Sequence, residues 1–177
     1  TNAQAGDVLA VGALPSGITA SIMGNVVTLS GSATLANYQT AIRAVTFSST
    51  SENPSTVARV VNVVVNDGAA NSNTATTTIN VIAVNDAPVN VVPVSQTTAE
   101  DTSRVFSTAN GNAITVSDVD SPALTTTLTV TNGILTLGSL AGVTVTGNGT
   151  GSVSVSGSAS AINAALNGTA FTPNTDY

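Results

Sequence analysis

The sequence predicts an all-β chain of tandem β-sandwich repeats, each carrying one short helical turn. Three observations lead there. Apolar residues alternate with period two in several short runs, Asn-Gly pairs punctuate those runs, and one pattern recurs at a spacing of about 124 residues, from Phe47 to Phe171. Composition agrees: the 177 residues include 29 Thr, 20 Ser and 18 Asn, while only 7% are charged, so solubility rests on hydroxyls and amides. Such a mixture suits strands.

From the N-terminus, Gly24-Asn25 supplies the positive-φ position of a tight turn. Thr34 then caps a helical turn with Leu35, Tyr38 and Ile42 on one side, too short to stand without packing on a sheet. Val61, Val63 and Val65 alternate with Val60, Asn62 and Val64, and Ile79, Val81 and Ala83 alternate with Asn80, Ile82 and Val84. Both runs read as half-buried strands. At Val84-Asn85-Asp86-Ala87-Pro88 the strand pattern ends and proline blocks further helix or central strand, so residues 1–86 form one domain and 87–177 a second. In the second, Asn-Gly pairs at 110, 132, 148 and 167 mark turns. Val143 and Val145 alternate with Thr144 and Thr146, and Val153 and Val155 with Ser152, Ser154 and Ser156. Ser160 caps a second helical turn bearing Ile162 and Leu166, ended by Gly168.

The helical turns expose the repeat. Val27-Thr-Leu-Ser-Gly31, a helical turn and Val45-Thr-Phe47-Ser48 align with Val153-Ser-Val-Ser-Gly157, a helical turn and Ala170-Phe171-Thr172; upstream, Ser16-Gly-Ile-Thr-Ala20 aligns with Ala141-Gly-Val-Thr-Val145. A period of this size is one β-sandwich per repeat. In that register the first domain holds the middle and end of a repeat, and the second holds a beginning and middle. Two expectations follow. Either the chain, which starts at Thr1 without Met, is a piece of a longer array, or its sheets are completed by strands of identical neighbouring chains.

The residues that are absent exclude whole classes of chemistry. Without His or Cys there is no thiolate nucleophile, imidazole base, zinc site of the N/S type, haem or iron–sulfur ligation. Without Lys there is no P-loop and no Schiff base. Three scattered arginines, Arg43, Arg59 and Arg104, at a net charge of -6 exclude nucleic acid as a partner, and no apolar run is long enough for membrane insertion as a helix. Two Glu residues and no Trp leave little for a glycosidase. Each arginine is read as solvated or paired with a carboxylate, and Tyr38, Phe47, Phe106 and Phe171 as core.

Val63-Val-Val-Asn-Asp-Gly68, the strand ending Ile79-Asn-Val-Ile-Ala-Val84 and the linker Asn85-Asp-Ala-Pro88 resemble the closing strands and linker of cadherin-type repeats. Ala99-Glu-Asp-Thr102 and Val116-Ser-Asp-Val-Asp-Ser121 are similar to that family's acidic opening-strand motif and Asp-x-Asp motif. With the lysine-free, Thr-rich composition, the chain most resembles the cadherin-like or Ig-like tandem repeats of giant bacterial secreted adhesins. The resemblance implies Ca2+ at domain junctions. Within this chain the ligands would be Asn85 and Asp86 from the linker with Asp118 and Asp120, while Glu100 and Asp67 would serve junctions at the far ends; Asp101 and Glu52 are weaker candidates. Ala83-Val84 replace a further family Asp, and the Leu-Asp-Arg-Glu motif is absent, so one ion per junction is the expectation.

Calcium also follows from the residues themselves. It takes roughly six to eight hard oxygen ligands, and Asp, Glu, Asn and backbone carbonyls supply them. Glu100 adjoins Asp101 and Asp118 lies near Asp120, with no lysine to offset their repulsion. The alternative for Asp118 and Asp120, ahead of Ser121-Pro122, is an ordinary Asx turn. The functional expectation is a non-catalytic extracellular spacer of a bacterial surface or secreted adhesin, stiffened by calcium. Its partners would be neighbouring repeats, and the parent protein would carry any surface ligand. The alternatives are a self-assembling filament, sheath or surface-layer subunit, and a carbohydrate- or protein-binding module.

Overall fold

The computed structural model describes residues 2–176, and the chain divides into two compact units, Thr1–Val84 and Asn85–Tyr177. The first contains β1 (Asp7–Val11), β2 (Thr19–Met23), β3 (Val26–Ser30), α1 (Leu35–Arg43), β4 (Val45–Ser49), β5 (Arg59–Val63) and β6 (Ala75–Ile79). The second contains β7 (Val89–Val91), β8 (Arg104–Phe106), β9 (Thr115–Ser117), β10 (Leu124–Thr129), β11 (Gly133–Thr136), β12 (Thr144–Thr146), β13 (Ser152–Gly157), α2 (Ala159–Leu166) and β14 (Thr169–Pro173). Among the described residues the fold is all-β with two short helices. No helix among the described residues is long and apolar enough to cross a membrane.

Every ladder is antiparallel. The first unit has the pairs β1–β4, β2–β3 and β5–β6; the second has two three-stranded sheets, β10–β13–β12 and β11–β14–β8, and the pair β7–β9. The sequence repeat is a repeat of register. Leu9 lies opposite Phe47 as Leu135 lies opposite Phe171, and Ala20 opposite Leu29 as Val145 opposite Val155. A close backbone approach recurs too: Gly17 and Gly142 share positive φ (85° and 73°), and their carbonyls lie against Gly31 and Gly157 respectively.

Local chemistry sets the ends of the elements. Thr34 caps α1, its hydroxyl accepting the N–H of Asn37 at 3.2 Å. The cap of α2 is Ser158 rather than Ser160: Ser158 keeps the extended backbone a cap needs and accepts the N–H of Ala161 at 3.2 Å, whereas Ser160 already lies inside the helix. The alternation through Val84 does not continue as a strand. β6 ends at Ile79 opposite Arg59, and the Val57 carbonyl that lies beyond is already taken by the Arg59 guanidinium. Ile82 and Val84 are consequently 84% and 76% exposed.

The two units differ in how much they bury. In the second, Val116, Leu135, Leu137, Val153, Val155, Ile162, Ala165 and Leu166 form one core between both sheets, β9 and α2. In the first, Ile18 and Ala41 are the buried apolar residues among those described. There the interior is instead stitched by charge. Arg59, 3% exposed, donates from Nε and Nη2 to the two carboxylate oxygens of Asp7 at 2.9 Å each, and from Nη1 to the carbonyls of Ser55 and Val57.

Candidate metal centre

β9 runs into the turn Asp118–Ser121, and the antiparallel register of β7 with β9 decides what meets it. Val89 pairs with Ser117, so continuing the same register outward sets Asp86 opposite Asp120. The main-chain N–H of Asp86 indeed donates to Asp120 Oδ2 at 3.1 Å. Asn85 braces the same segment, its Nδ2 donating to the Asp86 carbonyl at 2.6 Å. Asn85, Asp86, Asp118 and Asp120 all belong to the second unit.

Asp118 makes the Asx turn that its position before Ser121-Pro122 suggests. Its Oδ1 accepts the N–H groups of Ser121 at 2.7 Å and Asp120 at 3.0 Å. The Ser121 N–H, more than any other neighbour, holds its carboxyl below the usual carboxylate range. The turn leaves something over. Asp118 Oδ2 and Asp120 Oδ1 are both removed from solvent without a hydrogen-bond partner. A carboxylate oxygen in that position is costly unless a cation or a donor reaches it.

The remaining candidates lie apart from this turn. Asp67, in the first unit, caps its own loop: Oδ1 accepts the N–H groups of Ala70 and Ala69 at 2.9 Å each, and these bonds lower its pKa. Glu100 is exposed in a turn whose next residue, Asp101, has a φ of 54°, and the Glu100 carbonyl accepts the Thr102 hydroxyl at 3.2 Å. Among the described residues no three His, Cys, Asp or Glu side chains group closely enough to hold an ion by themselves. The structure thus brings together two carboxylates and the Asp86 main chain. The donor chemistry fits a hard cation whose remaining ligands are carbonyl oxygens, the Asn85 amide oxygen, the Asp86 carboxylate or water.

For Arg59 the sequence reading allowed a carboxylate partner without naming it, and no local signal marks Asp7, since the two lie 52 residues apart. The second unit also has a shallow depression of about 450 Å³ lined by Thr129, Val130, Thr131 and Phe171, none of them acidic or basic. Compared with protein-family models, curated proteins and solved structures, the chain matches none.

Proposed function

We propose that the chain is a non-catalytic extracellular spacer made of cadherin-like or Ig-like β-sandwich repeats, in which calcium bound at Asp118, Asp120 and the Asp86 segment stiffens the passage between repeats. One observation carries this reading: two carboxylate oxygens, Asp118 Oδ2 and Asp120 Oδ1, are buried without partners beside a linker already tied to Asp120. A divalent cation would neutralise both and supply the missing partner. Asp118, held ionised by the Ser121 and Asp120 N–H groups, has a second oxygen for the ion, and the linker tied to Asp120 through the Asp86 N–H would supply further oxygens from Asn85 and Asp86. Asp86 closely follows Val84, the last residue of the first unit, so an ion that fixes it removes freedom from the tether.

The low count of converging acids suits a weak site, with a dissociation constant on the order of 0.1–1 mM, filled outside cells and empty within. Calorimetric titration of the whole chain should show such binding, and millimolar calcium should raise the melting temperature of the second unit. Replacing Asp118→Asn together with Asp120→Asn should remove the calcium-dependent part of that rise. Equal melting in calcium and in chelator, with no heat of binding, would defeat the proposal.

A further inference from the structure

In the second unit, one continuous stretch of chain covers the repeated elements from three sides. β8 lies along the outer edge of β14, with Phe106, Val105 and Arg104 opposite Thr169, Ala170 and Phe171. β9 packs on α2, where Asn163 Oδ1 accepts the N–H of Val116 at 2.8 Å and its Nδ2 donates to the Val116 carbonyl at 2.9 Å. β10 lies along β13, with Leu124, Thr126 and Leu128 opposite Gly157, Val155 and Val153. Beneath this cover Val153, Val155, Ile162 and Leu166 are 0% exposed.

The first unit repeats the covered elements without the cover. β4 takes the place of β14, α1 of α2 and β3 of β13, yet among the described residues β4 pairs with β1 alone and β3 with β2 alone. Ile42, at the place of Leu166, is 39% exposed. Val27 and Leu29, at the places of Val153 and Val155, are only half-buried, and Gln39, an amide at the place of Asn163, is exposed. Two free strand edges and the apolar face between them therefore stand ready for strand addition.

We propose that the first unit is an acceptor for an incoming polypeptide segment patterned like residues 104–129, the opening stretch of a repeat. The internal repeat sets its register. Counterparts of Phe106, Val105 and Arg104 would lie opposite Val45, Thr46 and Phe47; a β9-like strand would seat on α1 beside Gln39; counterparts of Leu128, Thr126 and Leu124 would lie opposite Val27, Leu29 and Gly31. β8, β9 and β10 are consecutive, so a single segment fills all three places. Its chemistry is Leu, Thr and Leu at the three alternate positions towards the apolar face and Thr outward, as in Leu124–Thr129. The inference goes beyond the calcium reading and does not depend on it.

The test adds an unlabelled synthetic peptide of residues 99–130 to the isotopically labelled full chain, in chelator so that calcium has no part in the outcome. Amide resonances of Val27–Gly31, α1 and Val45–Phe47 should shift saturably while those of β13, α2 and β14 stay in place. A peptide carrying Leu124→Asp and Leu128→Asp, which places charge against the apolar face without altering the protein, should bind at least about tenfold more weakly. Absence of shifts would overturn the proposal, as would shifts confined to the second unit. So would concentration-dependent self-association that protects the same amides and that excess peptide fails to displace, since a different part of a second copy would then be the cover.

Discussion

Asp7 and Arg59 show how a chain with few charges uses the ones it has. The bidentate pair, with Ser55 and Val57 carbonyls on the third nitrogen, joins β1, the 50–58 loop and β5. Hydrogen bonding from Arg59, then from the Gln4 N–H, lowers the Asp7 pKa. A carboxylate with a depressed folded pKa stabilises above the unfolded value of about 3.9 and loses that contribution as pH falls through its folded value. Circular-dichroism melts of the first unit should therefore weaken on acidification below about pH 4. Asp7→Asn should melt lower at neutral pH and lose that part of the acid dependence. Arg59→Met should melt lower still, because it strands the Asp7 carboxylate and two carbonyls. Sequence reasoning allowed for an arginine paired with a carboxylate, yet choosing Asp7 among nine acids requires knowing which strands meet.

At the scale of elements, equivalent positions in the two units make a controlled comparison. Leu166→Ala, which opens a void in a closed core, should cost about 2–5 kcal/mol of stability by denaturant unfolding, whereas Ile42→Ala, at a side chain already 39% exposed, should cost clearly less, about 1 kcal/mol. Gly31→Ala should be worse than either unit's surface changes, since its methyl group would run into the Gly17 carbonyl at a φ of 136°. Much at this scale was legible beforehand: period-two runs became β12 and β13, and the Asn-Gly pairs gave positive φ at Gly111, Asn132, Gly149 and Gly168. What was illegible depended on partners. The strand through Val84 failed where the Val57 carbonyl of its neighbour was spent on Arg59, and the Asp86–Asp120 contact emerges only from the register of β7 on β9. The acids themselves were visible as types; their unpartnered oxygens were not.

For the molecule as a whole, burial predicts two melting events. Eight buried apolar residues make one core in the second unit, against Ile18 and Ala41 among the described residues of the first. Apolar burial dominates stability, so calorimetry should resolve an earlier transition for residues 1–84 and a later one for 85–177, and hydrogen exchange should be faster throughout the former. Coincident transitions would show that the first unit draws its stability from elsewhere.

The buried guanidinium of Arg59 also governs how the chain meets a digestive enzyme. Trypsin-like proteases cut after arginine or lysine, and this chain offers them three addresses. Arg59 is locked inside, Arg104 is half-buried in β8 with Nη2 donating to Gln96 at 2.6 Å, and Arg43 stands exposed at the end of α1. Scission should begin at Arg43. The bond most open to such an enzyme thus lies beside the uncovered edges of β3 and β4, and whatever settles there would shield it.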